Sequence, residues 1–294
     1  MEIDSTSTTL SAIHPDTAVG SVRLTVSNLD RSRSFYERAI GLVASELEDG
    51  GLALGAGADR ALIELHGDSS AAPLNRRAPG LYHLAILVPT RRDLAFAFTR
   101  LAATRWPLDG ASDHLVSEAL YLSDPDGNGI EVYLDRPRDR WPRSDGALQM
   151  ATLPLDLDGV LRELGGSDAM QPVMPPATRI GHVHLQVSSL EQAESFYRGV
   201  LGFEVTVRAY QGALFVSAGG YHHHLGLNTW HSRGAAPPPP GAIGLRNFEI
   251  ELPDQQQLQL VVDRVLAAGI TVEPTASGLL IRDPFANGVV LRTR

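Results

Sequence analysis

The sequence predicts an α+β fold made of two homologous domains, each containing two βαβββ modules. One observation is an internal repeat: the segment from Gly20 to Tyr36 recurs without a gap 161 residues later, from Gly181 to Tyr197. A second is that strand-like and helix-like patterns of apolar residues alternate along both halves of the chain. A third is size, because 294 residues with 43 % hydrophobic side chains suit about two packed domains.

The repeat extends well beyond this opening segment. Gly80-Leu-Tyr-His is matched by Gly244-Leu-Arg-Asn, and Asp124-Pro-Asp-Gly-Asn-Gly is matched by Asp283-Pro-Phe-Ala-Asn-Gly. Self-similarity at a nearly constant offset indicates that a whole structural unit is duplicated. We therefore predict the boundaries 16–136 for the first domain, 137–175 for a linker rich in Pro, Arg and Asp, and 176–294 for the second domain.

The elements of the second domain can be placed in order. A strand at Val183–Val187 leads to Ser189, whose hydroxyl is expected to cap a helix, with Gln192 at the capping-box spacing. The helix should end at Gly202, because glycine tolerates the left-handed conformation that commonly follows a helix. The further predicted elements are strands at Glu204–Ala209, Ala213–Ala218, His222–Thr229 and Leu245–Leu252, a helix at Gln255–Ala268 and a short linker helix near Leu155–Leu164.

Composition excludes several kinds of function. The net charge is −9 and the isoelectric point about 5.5, which disfavours nucleic-acid binding, and the basic run from Arg136 to Arg143 is interpreted as solvated linker. The absence of cysteine excludes disulfides, thiolate metal sites and a cysteine nucleophile, so any metal ligands must be His, Asp or Glu. With no apolar run of roughly 18 residues and no signal-peptide pattern, we expect a cytoplasmic protein without a membrane partner.

This layout and these motifs resemble the vicinal oxygen chelate superfamily, which includes glyoxalase I, bleomycin-resistance proteins and extradiol dioxygenases. The resemblance covers nearly the whole chain outside the linker and the first 15 or so residues, and is greatest to two-domain catechol 2,3-dioxygenase-like proteins. It implies that each βαβββ module forms half of a curved mixed sheet and that two modules close around a site. It also implies that metal ligands come from the first strand of one module and the first and last strands of its partner.

Each ligand position implied by the resemblance is filled once in this chain. His182 occupies the opening strand of the second domain, while His83 and Glu131 occupy the two strand positions in the second half of the first domain. The matching positions in the other copies hold Ser21, Asn247 and Val290. This distribution implies a single metal site between the domains, formed when residues about 75–135 pair with residues about 178–230.

The predicted ligand set consists of two neutral imidazoles and one carboxylate. That set is typical of non-haem iron(II) oxygenases, because it leaves coordination positions open for substrate and dioxygen. Manganese(II) accepts the same ligands, so the sequence leaves the choice of iron or manganese open. Glyoxalase-type sites usually add a carboxylate from a middle strand, where this chain offers Gly226 and Leu227.

A longer motif resembles the extradiol dioxygenase signature. It begins at His114, continues through Tyr121 and Asp124-Pro-Asp-Gly, and ends at Glu131. The resemblance assigns Tyr121 the role of the active-site tyrosine, ten residues before the candidate ligand Glu131. It also places His114 among the candidate catalytic residues.

A histidine-rich segment, Tyr221-His-His-His224, also resembles these dioxygenases, in this case their Arg-His-His segment. The alignment places His223 at the second histidine of that segment, which the resemblance implies is the acid–base residue, and histidine titrates near neutral pH as such a role requires. In a strand, His222 and His224 would lie on the face opposite His223. Tyrosine replaces the usual arginine and a third histidine follows, so the register stays open between His223 and His224.

We expect an extradiol dioxygenase that opens the ring of a catechol-like aromatic diol with dioxygen, acting as a monomer or homodimer. Two alternatives stay open. One is another metal-dependent member of the superfamily, a glyoxalase or isomerase, which would consume no dioxygen. The other is a metal-free binding or resistance protein, which would not need His83, Glu131 and His182 together.

Overall fold

The computed structural model describes residues 12–57, 60–166, 171–208 and 210–294. Strands dominate it. In chain order they are β1 (Ala18–Val26), β2 (Val43–Glu46), β3 (Leu52–Gly55), β4 (Ile63–Gly67), β5 (Gly80–Leu87), β6 (Gly110–Asp113), β7 (Ser117–Ser123), β8 (Gly129–Asp135), β9 (Arg143–Ser144), β10 (Ala147–Leu148), β11 (Leu153–Pro154), β12 (Arg179–Gln186), β13 (Glu204–Val207), β14 (Ala213–Ser217), β15 (Leu225–Asn228), β16 (Gly244–Leu252), β17 (Glu273–Thr275), β18 (Gly278–Arg282) and β19 (Gly288–Thr293).

Helices pack beside these strands. They are α1 (Leu29–Phe35), α2 (Arg91–Thr104), α3 (Leu157–Arg162), α4 (Leu190–Glu194) and α5 (Gln255–Ala267). The mixed sheets, with similar element orders in the two repeats, confirm the predicted α+β class. None of the helices in the described ranges is long and apolar enough to cross a membrane.

Two large sheets each combine strands from both repeats. The first has the order β17-β18-β19-β16-β1-β4-β3-β2, and the second the order β11-β6-β7-β8-β5-β12-β15-β14-β13. Antiparallel pairing of β1 with β16 and of β12 with β5 joins the modules at the centre of each sheet. The second half of the first repeat therefore shares a sheet with the first half of the second repeat, as the distribution of candidate ligands predicts.

The helix after β12 departs from the predicted uninterrupted α-helix. Ser189 caps its start by accepting a hydrogen bond from the Gln192 backbone, as predicted, but residues Ser195–Val200 form a π-helical turn. The wider turn accompanies two consecutive aromatic side chains, Phe196 and Tyr197, that are both buried. The Tyr197 hydroxyl donates to a carboxylate oxygen of Asp283 at 2.9 Å.

The linker is more ordered than its composition predicts. β11 pairs with β6 at the edge of the second sheet, and α3 lies within the predicted helical segment. The interpretation of the basic run as solvated was wrong in part: Trp141 is buried, and Arg136 forms ion pairs with Asp113 at 2.6 Å and Glu118 at 3.2 Å. Apolar burial and charge pairing thus hold this segment against the second sheet.

Candidate metal centre and active site

Three of the predicted site residues converge on one point of the second sheet. His83 lies on β5, Glu131 on β8 and His182 on β12, and these strands are neighbours. Nε2 of His83 lies 3.0 Å from Oε2 of Glu131, and Nε2 of His182 lies 3.1 Å from the same oxygen. Their potential ligand atoms all lie within 4.8 Å of one another, and no other such group of three occurs among the residues that the structure describes.

Backbone irregularity helps to place these side chains. The pairing of β12 with β5 shifts register between Ile180 and His182, and shifts again just after His184. Such bulges twist a strand and redirect its side chains, and are common beside functional sites. Within the bulged segment His184 pairs directly with His83, so two imidazoles face each other across the seam between the repeats.

The surroundings favour the protonation states that a metal requires. Burial lowers the pKa of His182 to about 4, although the neighbouring Glu131 acts in the opposite direction. Burial alone would raise the pKa of Glu131, but interactions with His182 and His83 hold it well below its ordinary value. At neutral pH the site therefore presents a neutral imidazole at His182 beside an ionised carboxylate.

The donor set also fits a divalent cation geometrically. Nε2 of His83 is buried and close to the carboxylate, but it lies outside hydrogen-bond geometry and has no other partner in the described chain. A cation shared with Glu131 would satisfy this nitrogen, and imidazole and carboxylate groups suit iron, manganese and related divalent metals. The residues present therefore fit a metal held by His83, Glu131 and His182.

A cavity of about 740 Å³ opens onto this group, within the range of small-molecule sites. His83 and Glu131 line it, whereas His182 is the most deeply buried of the three. Met150 and Thr152 show that the linker forms part of the wall. The aromatic lining residues are Tyr82, Tyr121, Tyr210, Phe215 and Trp230.

Tyr121 and His114 form a hydrogen-bonded pair on the cavity wall. Nε2 of His114 lies 2.7 Å from the Tyr121 hydroxyl, and its Nδ1 lies 2.6 Å from the carbonyl oxygen of Ala151. Because that carbonyl can only accept, Nδ1 carries the proton and Nε2 accepts from Tyr121. Burial, with the negative charge of Glu131, raises the pKa of Tyr121 well above its ordinary value, so its hydroxyl stays protonated.

The histidine triplet is not part of a strand, contrary to prediction. β15 begins only at Leu225, and His222–His224 lie in the turn after Gly219 and Gly220, both of which have left-handed backbone angles. Alternation along a strand therefore does not determine where these side chains point. The conformation of the turn determines their directions, and it is held in place by the hydrogen bond from the His224 backbone N–H to the Val216 carbonyl oxygen.

Each histidine of the triplet has different surroundings. His223 lines the cavity, and its ring packs against that of His182 with centroids 4.1 Å apart. Nδ1 of His224 instead accepts from the backbone of Ala218, which directs His224 away from the cavity. His222 does not line the cavity: its Nδ1 lies 2.8 Å from Nδ1 of His223 and its Nε2 lies 2.8 Å from Oδ1 of Asp135.

Sequence reasoning missed several residues of the cavity wall. His184 is buried and its ring lies 4.9 Å from that of His83; burial lowers its pKa well below the ordinary value. The signal was its position two residues after His182, on the same side of β12. Tyr82 and Trp230 flank His184, but nothing in the local sequence indicates that they meet.

The equivalent position in the first sheet holds a charge network instead. Arg23 takes the place of His184, and its guanidinium contacts Glu64 at 2.6 Å and Glu249 at 2.9 Å. It also donates to the side chain of Asn247 at 3.1 Å. The Arg23 guanidinium therefore donates to carboxylate and amide oxygens. A paired positive charge lies here, at the place where the second sheet has imidazoles.

Comparisons with known proteins agree with this architecture. A family model described as the glyoxalase/bleomycin resistance protein/dioxygenase superfamily matches residues 18–132 and 179–289. The chain is 45 % identical over 285 residues to catechol-2,3-dioxygenase of Bacillus subtilis (strain 168), covering 96 % of this chain and 99 % of that protein.

Solved structures share the fold at low sequence identity. A Bacillus subtilis protein aligns with a TM-score of 0.62 and 15 % identity, covering 96 % of this chain and 86 % of the other. Glyoxalase I from Zea mays aligns with a TM-score of 0.56 and 15 % identity, covering 94 % and 92 %. At these identities the likeness concerns the fold alone.

Proposed function

This chain belongs to the glyoxalase/bleomycin resistance protein/dioxygenase superfamily, and we propose that it is an extradiol dioxygenase acting on catechol-like aromatic diols. The observation that carries the proposal is the convergence of His83 and His182, from different repeats, on one oxygen of Glu131 beside a cavity. The 45 % identity to a catechol-2,3-dioxygenase over nearly the full length supports the same assignment. One metal site per chain, between the repeats, follows from it.

The metal would be held by His83, Glu131 and His182. Iron(II) is the proposed ion, and manganese(II) is the alternative that the same ligands accept. When bound, such an ion supplies Lewis acidity that favours loss of a proton from a diol, together with redox access to dioxygen. In the overall reaction one diol and one dioxygen give one muconic semialdehyde, with both oxygen atoms retained in the ring-opened product.

The aromatic wall of the cavity suits a flat substrate ring. Tyr82, Phe215 and Trp230 provide rings that can pack against an aromatic substrate by offset or edge contacts. We propose that they orient the diol so that its oxygens face the three ligands.

We propose that Tyr121 and His114 bind a hydroxyl of the substrate and accept its proton. The Tyr121 hydroxyl donates to His114, so its oxygen lone pairs stay available for a substrate hydroxyl. A proton can then pass from that hydroxyl to the Tyr121 oxygen as the tyrosine proton moves to Nε2 of His114. His223 is proposed to act as the acid–base residue on the other side, because it lines the cavity without being one of the three ligands.

A glyoxalase-type site is less well supported by the geometry. Its additional carboxylate would come from the strand position that Gly226 occupies. A side chain at Gly226 would begin 2.8 Å from the His184 ring, so the second sheet has no room for a carboxylate there. The three-ligand set therefore favours oxygenase chemistry over a four-ligand lyase or isomerase.

The test is metal content after anaerobic purification, followed by oxygen uptake with catechol and substituted catechols. We expect about one iron per chain and one dioxygen consumed per ring opened, with the ring-opened semialdehyde as product. His83→Ala should lose both metal and activity, whereas Asn247→Ala, at the matching position of the other sheet, should keep both. Metal binding without oxygen uptake would point to a lyase or isomerase, and absence of metal to a binding protein.

A further inference from the structure

A chain of hydrogen bonds runs behind His223, away from the cavity. Nδ1 of His223 lies 2.8 Å from Nδ1 of His222, and Nε2 of His222 lies 2.8 Å from Oδ1 of Asp135. The Tyr221 hydroxyl lies 2.9 Å from Oδ2 of Asp135 and 2.7 Å from the Tyr133 hydroxyl. His222 is fully buried, so these contacts are the partners available to its ring.

The direction of each bond in this chain follows from the chemistry of its members. The Asp135 carboxylate can only accept, so both Tyr221 and Nε2–H of His222 donate to it. With the His222 ring neutral, its Nδ1 is unprotonated and accepts, which requires that Nδ1 of His223 carries a proton and donates. Nε2 of His223 is left with a lone pair and has no protein partner in the described part of the chain.

We propose that Asp135 and His222 are positioning residues that hold His223 in one ring orientation and one tautomer, with the Nε2 lone pair available to the cavity. A general base must present an unprotonated nitrogen toward the group from which it takes a proton. An isolated imidazole would exchange between two tautomers, and only one of them presents that nitrogen. The catalytic consequence rests on the proposed function, whereas the tautomer itself does not.

Strand β8 carries both the candidate ligand Glu131 and the residue Asp135 that accepts from His222. Glu131, Tyr133 and Asp135 alternate along β8 and so share one of its faces. Tyr133 can reach Tyr221 because its hydroxyl passes the backbone of Gly181, where a Cβ atom would lie only 1.8 Å away. One strand thus fixes both the carboxylate of the metal group and the carboxylate behind His223.

A merely structural role for the network predicts a different outcome from a positioning role. If the network only stabilises the fold, breaking it lowers stability but leaves the tautomer of His223 unchanged in the protein that still folds. A positioning role requires the tautomer to change when the acceptor is lost. Asp135 is the better variant for this purpose, because its side chain is 23 % exposed while His222 is buried.

The experiment is long-range ¹H–¹⁵N NMR of the full chain labelled with ¹⁵N-histidine, recorded without metal and with zinc(II). Signals of His223 are identified by their absence in His223→Phe. We expect a protonated Nδ1 and an unprotonated Nε2 in the native protein. Asp135→Ala and His222→Phe should each introduce an Nε2–H form of His223, while Asp113→Ala, which removes a nearby carboxylate outside the chain of bonds, should not.

Kinetics of the iron-loaded enzyme complete the test. Asp135→Ala should lower kcat by about 10- to 100-fold at unchanged iron content, less than the roughly 10²–10⁴ that loss of the acid–base residue itself would cost, and Asp135→Glu should restore part of it. An unchanged tautomer in Asp135→Ala, or an altered tautomer with unchanged kcat, would overturn the proposal. If the native protein neither binds metal nor consumes dioxygen, the proposed function fails while the tautomer result still decides the hydrogen-bond chain.

Discussion

Metal removal should destabilise the junction between the two repeats. The candidate ligands His83 and Glu131 come from one repeat and His182 from the other, and β12 meets β5 at the centre of the second sheet. A cation bound by all three therefore binds only the assembled sheet. Binding that is restricted to the folded state stabilises it by RT ln(1 + [L]/Kd), which is about 2.7 kcal/mol at a hundredfold excess over Kd.

This free energy converts to a modest shift in melting temperature. An unfolding entropy of roughly 2.1 cal/mol/K per residue gives about 0.6 kcal/mol/K for a chain of 294 residues that unfolds cooperatively. The expected shift between metal-free and metal-loaded protein is therefore about 4 °C. Differential scanning calorimetry with manganese(II) under anaerobic conditions would measure it without oxidising the metal.

His182→Ala separates metal linkage from simple loss of packing. The variant should melt at the same temperature with and without metal, because the second repeat no longer supplies a ligand. Asn247→Ala is the matched control on β16 and should keep the full shift. Retention of the metal-dependent shift in His182→Ala would refute a site shared between the repeats.

Four further variants test individual residues. Tyr121→Phe should keep metal but lose roughly tenfold in kcat/KM, the equivalent of one hydrogen bond of about 1.4 kcal/mol, as measured by oxygen uptake. His223→Phe should also keep metal, and should lower kcat by about 10²–10⁴. Gly226→Ala forces a methyl group against His184, so denaturant titration should show a loss of about 1–3 kcal/mol. Arg23→Met leaves the half-buried Glu64 without its ion pair to Arg23 and leaves Glu249 with its ion pair to Arg292, so it should cost about 1–3 kcal/mol in the same assay, with unchanged metal affinity.

The arrangement of the candidate ligands could be predicted because the repeat relates distant positions. The resemblance to the vicinal oxygen chelate superfamily implies three ligand roles, and the repeat offsets indicate that His83, Glu131 and His182 fill each of them once, which predicts pairing between modules of different repeats. The same comparison indicates that the first sheet lacks ligands at the equivalent positions, which hold Ser21, Asn247 and Val290. Elements with clear caps and periodicity, such as the helix α5, also lie within a residue of their predicted bounds.

Other features depend on contacts that no local pattern encodes. The conformation of His222–His224 is set by the glycine turn before them and by hydrogen bonds to β14 and β8, so the strand predicted for these residues was wrong. Asp135 is 87 residues from His222, and its role follows only from the sheet order. The linker likewise appears solvated by composition, yet its Ala151 carbonyl fixes the tautomer of His114.

The two sheets show why duplication leaves one candidate metal site rather than two in the part of the chain that the structure describes. In the second sheet Gly226 makes room for the His184 ring, which lines the cavity beside the single carboxylate of Glu131. In the first sheet the register places Arg23 opposite Glu64 instead. A guanidinium there repels a cation and already engages the carboxylates that could bind one. Restoring ligands at the equivalent positions would therefore not recreate a site unless the Arg23 network were also removed.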